Sequence, residues 1–217
     1  MLNPKIHEKE QVLLHVGCGR KDKSRTTAGF RASHWREIRL DIDPSVQPDV
    51  VGSMTDMSCL TDQSVDAIFS SHNIEHLYPH EAPLALAEFH RVLKEDGFLV
   101  LTCPDLMSVC RRVVDGKLTQ PAYQSPAGPI TPLDILFGHQ RSLSRGNLYM
   151  AHRSGYTELS LREMLSATGF SAIATLTLPR KFELWCVAAK ANLSQQDMTL
   201  LATSHLPTSA TMADLSA

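Results

Sequence analysis

The chain has 217 residues, of which 43% are hydrophobic and 20% charged, and its formal net charge is −2. A chain of this size buries one good core, so a single domain of ordinary size is expected. Acids and bases are interspersed, which argues against a nucleic-acid partner or an anionic membrane, since both select for a basic surface. Residues 1–5 lack the apolar core of a signal peptide, and no apolar run approaches the length of a membrane span. Cys18, Cys59, Cys103, Cys110 and Cys186 are odd in number and form no C-x-x-C pair. Unpaired thiols without an export signal fit a reducing cytoplasm.

The first element is the apolar run Val12–Val16, which stops abruptly at Gly17-Cys18-Gly19. Buried parallel strands read as continuous aliphatic runs, and glycines at their C-terminal ends let a ligand approach the backbone. Residues 20–35 are polar and show little helical periodicity. A second strand, Glu37 to Leu40, runs into Asp41, and Pro44 turns the chain. Asp49 to Val51 and Val65 to Ser70 read as the third and fourth strands.

The clearest helix runs from Pro79 or His80 to Glu95, with Leu86, Phe89 and Leu93 as its core stripe and Gly97 at its C′ position. Phe98 to Thr102 follows as a fifth strand, and Leu106 to Val114 as a further helix. Residues 119–156 then break the rhythm with Pro121, Pro126, Pro129 and Pro132. A long irregular segment inside a compact domain is usually a binding loop or lid. Ser160 to Glu163 reads as a capping box opening a helix that ends before Gly169. Ser171 to Leu178 and Phe182 to Ala189 are joined so tightly that they must be antiparallel. Residues 191–217, rich in Ser, Thr and Ala, read as a flexible C-terminal tail, with a docked helix as the alternative.

A Gly-x-Gly turn by itself is a weak signal, and a nicotinamide site would want a third glycine that Arg20 to Asp22 do not supply. An acid at the end of the next strand strengthens the reading, because a carboxylate there accepts hydrogen bonds from the ribose hydroxyls of an adenosine. Asp41 holds that position. Asp43, two residues on, lies in the Pro44 turn and is equally suited to capping it.

With these features in place, the chain resembles the class I S-adenosylmethionine-dependent methyltransferases. The matching stretches are Val12–Gly19, Leu40–Pro44, Gly52–Met57, Ser64–Leu77 and Glu88–Pro104, together with the terminal hairpin. The likeness covers about residues 10 to 190 and is greatest to small bacterial proteins with a Gly-Cys-Gly first motif and Glu-His-Leu after the fourth strand. It implies an α/β, Rossmann-like fold: a seven-stranded, mostly parallel sheet with an antiparallel last strand and helices on both faces. The implied cofactor is S-adenosyl-L-methionine. The implied partner is a methyl acceptor, expected to be a small molecule.

The resemblance also implies residue roles. Gly17, Cys18 and Gly19 would lie along the cofactor, Asp41 would hold the ribose with Ile42 beside it, and Ser53 and Met54 would line the adenine. Ser70, Ser71 and His72, ending the fourth strand, would face the methionine moiety and the acceptor. Two departures stand out: His15 replaces the acid common in the first strand, and Ser53 stands where many relatives carry an acid. His15 is nevertheless included among the cofactor-binding residues. The same departures allow an alternative reading, a non-catalytic binding or scaffold protein on this fold.

His72-Asn73-Ile74-Glu75-His76 also spells H-x-x-E-H, a zinc-peptidase pattern that needs a helix around it. Here the motif starts at a strand end with Pro79 close behind, so no metal is expected. A sulfonium methyl is already activated, and the enzyme's main task is to align the acceptor. His72, His76 and His152 are the candidate catalytic residues, for base or orienting roles. The expected organisation is one methyltransferase domain over residues 1–190, with 119–156 as its substrate segment and 191–217 as a tail.

Overall fold

The computed structural model describes residues 10–207. In chain order it contains β1 (Gln11–Val16), β2 (Trp35–Asp41), β3 (Val50–Val51), β4 (Val65–Ser71), α1 (Ala82–Val92), β5 (Leu93–Pro104) and α2 (Leu106–Val114). These are followed by β6 (Tyr123–Ser125), β7 (Gly128–Ile130), α3 (Pro132–Phe137), α4 (Gln140–Leu143), α5 (Glu158–Ala167), β8 (Ala172–Leu178), β9 (Glu183–Ala189) and α6 (Gln195–His205).

Seven strands form one sheet in the order β3-β2-β1-β4-β5-β9-β8. β1 pairs in parallel with β2 and β4, and β4 with β5, whereas β9 runs antiparallel to both β5 and β8. The mostly parallel sheet with an antiparallel last strand is therefore as the sequence implies. The order reverses between β1 and β4, and in open α/β sheets the crevice beyond the strand ends at that point is where ligands bind.

Strand alternation divides the core. Leu14 and Val16 of β1 face the layer made by Leu86, Phe89 and Val92 of α1 with Leu161 and Leu165 of α5. Leu13 faces the other side, against Phe30, Trp35, Phe69, Val100 and Val187. Each such fully buried side chain contributes roughly 1.5–3 kcal/mol. Two polar struts hold the edges in register. Asp66 accepts the Val12 amide at 2.7 Å and the Lys94 ammonium at 2.8 Å. Arg91 ties Glu88 to the carbonyls of Met57 and Leu60, which explains why an arginine precedes Val92 and Leu93.

Several boundaries differ from expectation. α1 ends at Val92, and Leu93 already pairs with Val65 before a register shift. Gly97 is accordingly no helix cap; a Cβ there would lie 2.9 Å from the Lys94 carbonyl and 3.1 Å from that of Asp66. α5 starts one turn earlier than Ser160, because Thr157 caps the helix and Ser160 is its third residue. Residues 119–156 are not irregular. They hold the β6–β7 hairpin, α3 and α4, with Pro132 at the start of α3 behind a Thr131–Asp134 capping box. Proline at a first helical turn starts a helix instead of breaking one.

The largest difference is at the C-terminus. Residues 191–217 read as a tail, yet Gln195–His205 form a helix that closes the second face of the sheet, while residues 208–217 lie outside the described residues. No regular helix follows the glycine turn, only two short 3-10 turns at Lys23–Arg25 and Ala28–Arg31. Met198, Leu201 and Leu206 cover the apolar surface this leaves. His205 anchors the contact: its ring lies 4.3 Å from that of Phe30, and its Nδ1 is 2.7 Å from Thr27 Oγ1. Gly29 makes room for it, since a Cβ there would come within 2.6 Å of the imidazole.

Burial depresses the His205 imidazole to about 4, against about 6.5 in an unfolded chain. Folding favours the neutral ring, so its contribution is complete above pH 6.5 and is lost as pH falls from 6.5 toward 4. At 1.36 kcal/mol per unit the loss totals about 3 kcal/mol. Urea denaturation across that window is expected to show the decline. His205→Phe, which keeps a ring on Phe30 but cannot titrate, is expected to flatten it.

Candidate active site

Gly17 and Gly19 both occupy the left-handed region, at φ +63° and +54°, which glycine enters without steric cost. This folds the turn back onto β2. The Gly17 amide donates to the Leu40 carbonyl at 2.8 Å, and the Gly19 amide to Asp41 Oδ2 at 2.7 Å. Asp41 Oδ1 accepts the Asp43 amide at 2.9 Å, leaving each carboxylate oxygen a further acceptor direction. Arg39 fastens the same turn from outside, donating to the Gly19, Lys21 and Gln47 carbonyls. Above Gly19 there is open space: a Cβ at that position would meet nothing within 4 Å among the described residues. Ile42, next to Asp41, is exposed. Asp43 caps the following 3-10 turn through Ser45, the simpler of its two expected roles.

Asn73 carries a structural role that sequence reasoning missed. Its amide packs on the Gly17 Cα, donating to the Val16 carbonyl at 3.0 Å and the Ser71 carbonyl at 3.1 Å, with Ser70 Oγ at 3.2 Å. A Cβ on Gly17 would lie 2.1 Å from Asn73 Oδ1. The close approach that fixes this glycine is thus made by the protein itself.

The other expected cofactor residues divide. Ser70 is buried under Asn73, and Ser71 Oγ lies 2.8 Å from Thr102 Oγ1. Ser53 Oγ is engaged locally by Thr55, and Met54 packs against the core. Cys18 is buried, and burial pushes its thiol up. His15 faces away from the cleft end of β1: its Nδ1 lies 2.8 Å from Glu37 Oε1 and its ring meets Phe69 edge-on at 5.3 Å. Glu37 Oε2 accepts the Lys23 amide at 2.9 Å, so the His15–Glu37 pair braces the segment after the glycine turn. Burial lowers the His15 imidazole against the opposing pull of Glu37.

Beyond the ends of β4 and β5 lies a cavity of about 550 Å³. Its walls include Tyr123, Ile130, Ile135 and Met150 from the 119–156 segment and Phe182 from the β8–β9 turn. His72, Glu75, His76, His139 and His152 line its polar side. The segment is tied to the residues after β4: the Arg153 and Ser154 amides both donate to the Glu75 carbonyl, at 2.8 and 3.2 Å, and the Leu106 amide donates to the Tyr156 carbonyl. Arg153 sits over the Tyr78 ring at 4.8 Å.

The three candidate catalytic histidines converge here. His72 has φ +56°, and residues 74–76 form a single 3-10 turn, so the helix that a zinc peptidase would need is absent. Instead the chain wraps His72, His76 and His152 around Glu75, which is 1% exposed. Burial pushes the Glu75 carboxyl up, but the adjacent His72, with His76 and His152, more than offsets this and leaves it below the usual carboxylate range. For His72 burial acts downward and Glu75 prevails, raising the imidazole. His152 stays below its ordinary value because burial outweighs the attraction of Glu75.

Gly17→Ala is expected to destabilise the fold by about 2–4 kcal/mol, through left-handed strain and displacement of Asn73. Gly19→Ala, with open space at its Cβ, is expected to lose only about 1 kcal/mol. Urea unfolding of the two variants checks the difference; equal losses would mean that Asn73 does not brace the turn.

Residues 14–101 match the family model described as a methyltransferase domain. No curated protein matches the chain in sequence. Among solved structures, the PH0226 protein of Pyrococcus horikoshii superposes with a TM-score of 0.57 at 16% identity, covering 85% of this chain and 84% of that one. The 1,6-didemethyltoxoflavin-N1-methyltransferase of Burkholderia thailandensis, solved with 1,6-didemethyltoxoflavin and S-adenosylhomocysteine, gives 0.54 at 17% identity over 85% and 72%. A possible exported protein of Bordetella parapertussis gives 0.54 at 16% identity over 85% of this chain, which spans only 63% of its length. Residues 14–101 thus resemble a methyltransferase domain, and the described chain shares its fold with these solved structures.

Proposed function

We propose that the protein binds S-adenosyl-L-methionine at the Gly17–Gly19 turn and transfers its methyl group to a small-molecule acceptor held in the adjoining cavity. The observation that carries this reading is the pairing of Asp41 with the glycine turn beside that cavity. Two left-handed glycines, the open space over Gly19, and a buried carboxylate with unused acceptor directions suit a ribose and the backbone-following part of the cofactor. Exposed Ile42 offers an apolar neighbour for a flat base. Ser53 and Met54 are the weaker members of the set, because the Ser53 hydroxyl is already engaged by Thr55.

When bound, the cofactor supplies an electrophilic methyl that needs no further activation. The chain's own residues then have to align an acceptor and exclude water. The 119–156 segment walls the cavity, and His72, at its edge beside Glu75, is placed to take a proton from an acceptor. His76 and His152 are better read as orienting groups, since the Nδ1 of each is engaged by a backbone carbonyl. The volume of about 550 Å³ suits a compact organic molecule. Among the described residues no helix is long and apolar enough to cross a membrane, and all five cysteines are free, which supports a cytoplasmic setting.

Isothermal titration of S-adenosylmethionine and S-adenosylhomocysteine tests the cofactor reading. Wild-type protein is expected to bind both, and Asp41→Ala to weaken binding roughly 10- to 150-fold, the equivalent of one charge-assisted hydrogen bond. Unchanged affinity in Asp41→Ala would remove Asp41 from the site. No binding by folded wild-type protein would defeat the reading as a whole.

A further inference from the structure

Glu75 is a buried charged residue of the cavity wall to which the proposed reaction gives no role. It is 1% exposed, and neither carboxylate oxygen has a hydrogen-bond partner among the described residues. His72 Nδ1 lies 3.4 Å from Oε1, at the edge of hydrogen-bonding range. A buried carboxylate without donors costs several kcal/mol unless a cation compensates it. No lysine or arginine ion pair to Glu75 exists among the described residues; the groups around it are imidazoles.

Both neighbouring imidazoles are held from behind. His76 Nδ1 lies 3.0 Å from the Ala151 carbonyl, and His152 Nδ1 lies 2.7 Å from the Ile135 carbonyl. A carbonyl can only accept, so Nδ1 carries the proton in both rings and each Nε2 is left with a free lone pair. Metal-binding histidines are commonly held by such a backbone hydrogen bond, which fixes tautomer and ring orientation. The two ring centroids are 4.9 Å apart at 68°. One donor atom from each of Glu75, His76 and His152 lies within 4.8 Å of the others. Donors at tetrahedral bond lengths of about 2.0–2.1 Å stand about 3.3 Å apart. Ligation therefore draws the set inward by no more than about 1.5 Å, within reach of side-chain rotation.

From this geometry we propose that Glu75, His76 and His152 form a binding site for a divalent transition metal of the zinc type, with an open coordination position facing the cavity. Two imidazoles and one carboxylate are a donor set suited to such ions, and catalytic sites keep one position free. The scaffold is built for it, because His76 and His152 come from segments stitched together through the Glu75 backbone carbonyl. The proposal rests on the cavity being the acceptor site and adds a substrate class to that reading. A bound ion takes an acceptor through an oxygen donor and lowers the pKa of a bound hydroxyl, whose proton His72 is placed to take.

The test is metal titration of the full chain after chelator treatment, without S-adenosylmethionine. Wild-type protein is expected to bind one equivalent of Zn²⁺ by calorimetry, and Co²⁺ with visible d–d absorption. His152→Ala, His76→Gln and Glu75→Gln are each expected to weaken binding by more than about 100-fold. His90→Ala, a histidine packed on Phe170, serves as the control and is expected to bind like wild type. Circular dichroism confirms folding, and the two volume-preserving variants carry the result should His152→Ala unfold. Acetohydroxamate is then added to the Co²⁺ form and is expected to shift its spectrum. An unshifted spectrum would overturn the open position. Folded wild-type protein that binds neither ion, or binding that survives in all three variants, would overturn the site. Cofactor calorimetry on the same Glu75→Gln sample separates the two readings, since metal binding can fail while cofactor binding stands, and the reverse.

Discussion

The contact between the Asn73 amide and Gly17 is the constraint on which the rest of the cleft depends. It locks the glycine turn at the end of β1 to the end of β4, the two central strands of the sheet. A larger residue at position 17 would force Asn73 away, and with it the turn that continues through Glu75 and His76. On one side of this contact lie Asp41 and the space over Gly19. On the other lie the cavity and its histidines. The glycine turn and the cavity are therefore set relative to each other by a single close-packed junction, not by loops that float separately.

The second organising feature is how the chain covers a sheet face on which no regular helix follows the glycine turn. The segment after the glycine turn is too polar and too short of apolar periodicity to pack as a helix, and it settles into 3-10 turns. Phe30 enters the core from there, but Trp35, Phe98 and Val187 need more cover. α6 provides it, at the expense of burying His205 in neutral form. The His15–Glu37 pair belongs to the same region: Glu37 on β2 meets the His15 imidazole and accepts the Lys23 amide.

The 119–156 segment shows how the chain builds a pocket onto a plain seven-stranded α/β frame. Its hairpin and short helices wall the cavity, and its returning stretch of chain, residues 151–156, is stitched to the turn after β4 and to the start of α2. The stitching places His152 against His76, far apart in sequence and 4.9 Å apart in space. The cavity wall is thereby held by backbone hydrogen bonds as well as by side chains.

The amino-acid sequence by itself determined the sheet and its ligand-binding edge. Apolar runs of strand length, the Gly17-Cys18-Gly19 stop, Asp41 at the next strand end, and the tight β8–β9 turn are local signals, and local backbone physics reads them directly. Only the tertiary structure decided what depends on long-range pairing. Asn73 against Gly17, Glu37 opposite His15, and His152 beside His76 each join residues whose spacing in sequence carries no period. The docking of α6 and the short elements of 119–156 were hidden for a related reason: weak amphipathicity and scattered prolines look like loop until a packed surface or a cap gives them a partner. The same physics decided the fate of His72-Asn73-Ile74-Glu75-His76, whose letters spell a helical metal motif and whose folded turn instead gathers its histidines around a buried carboxylate.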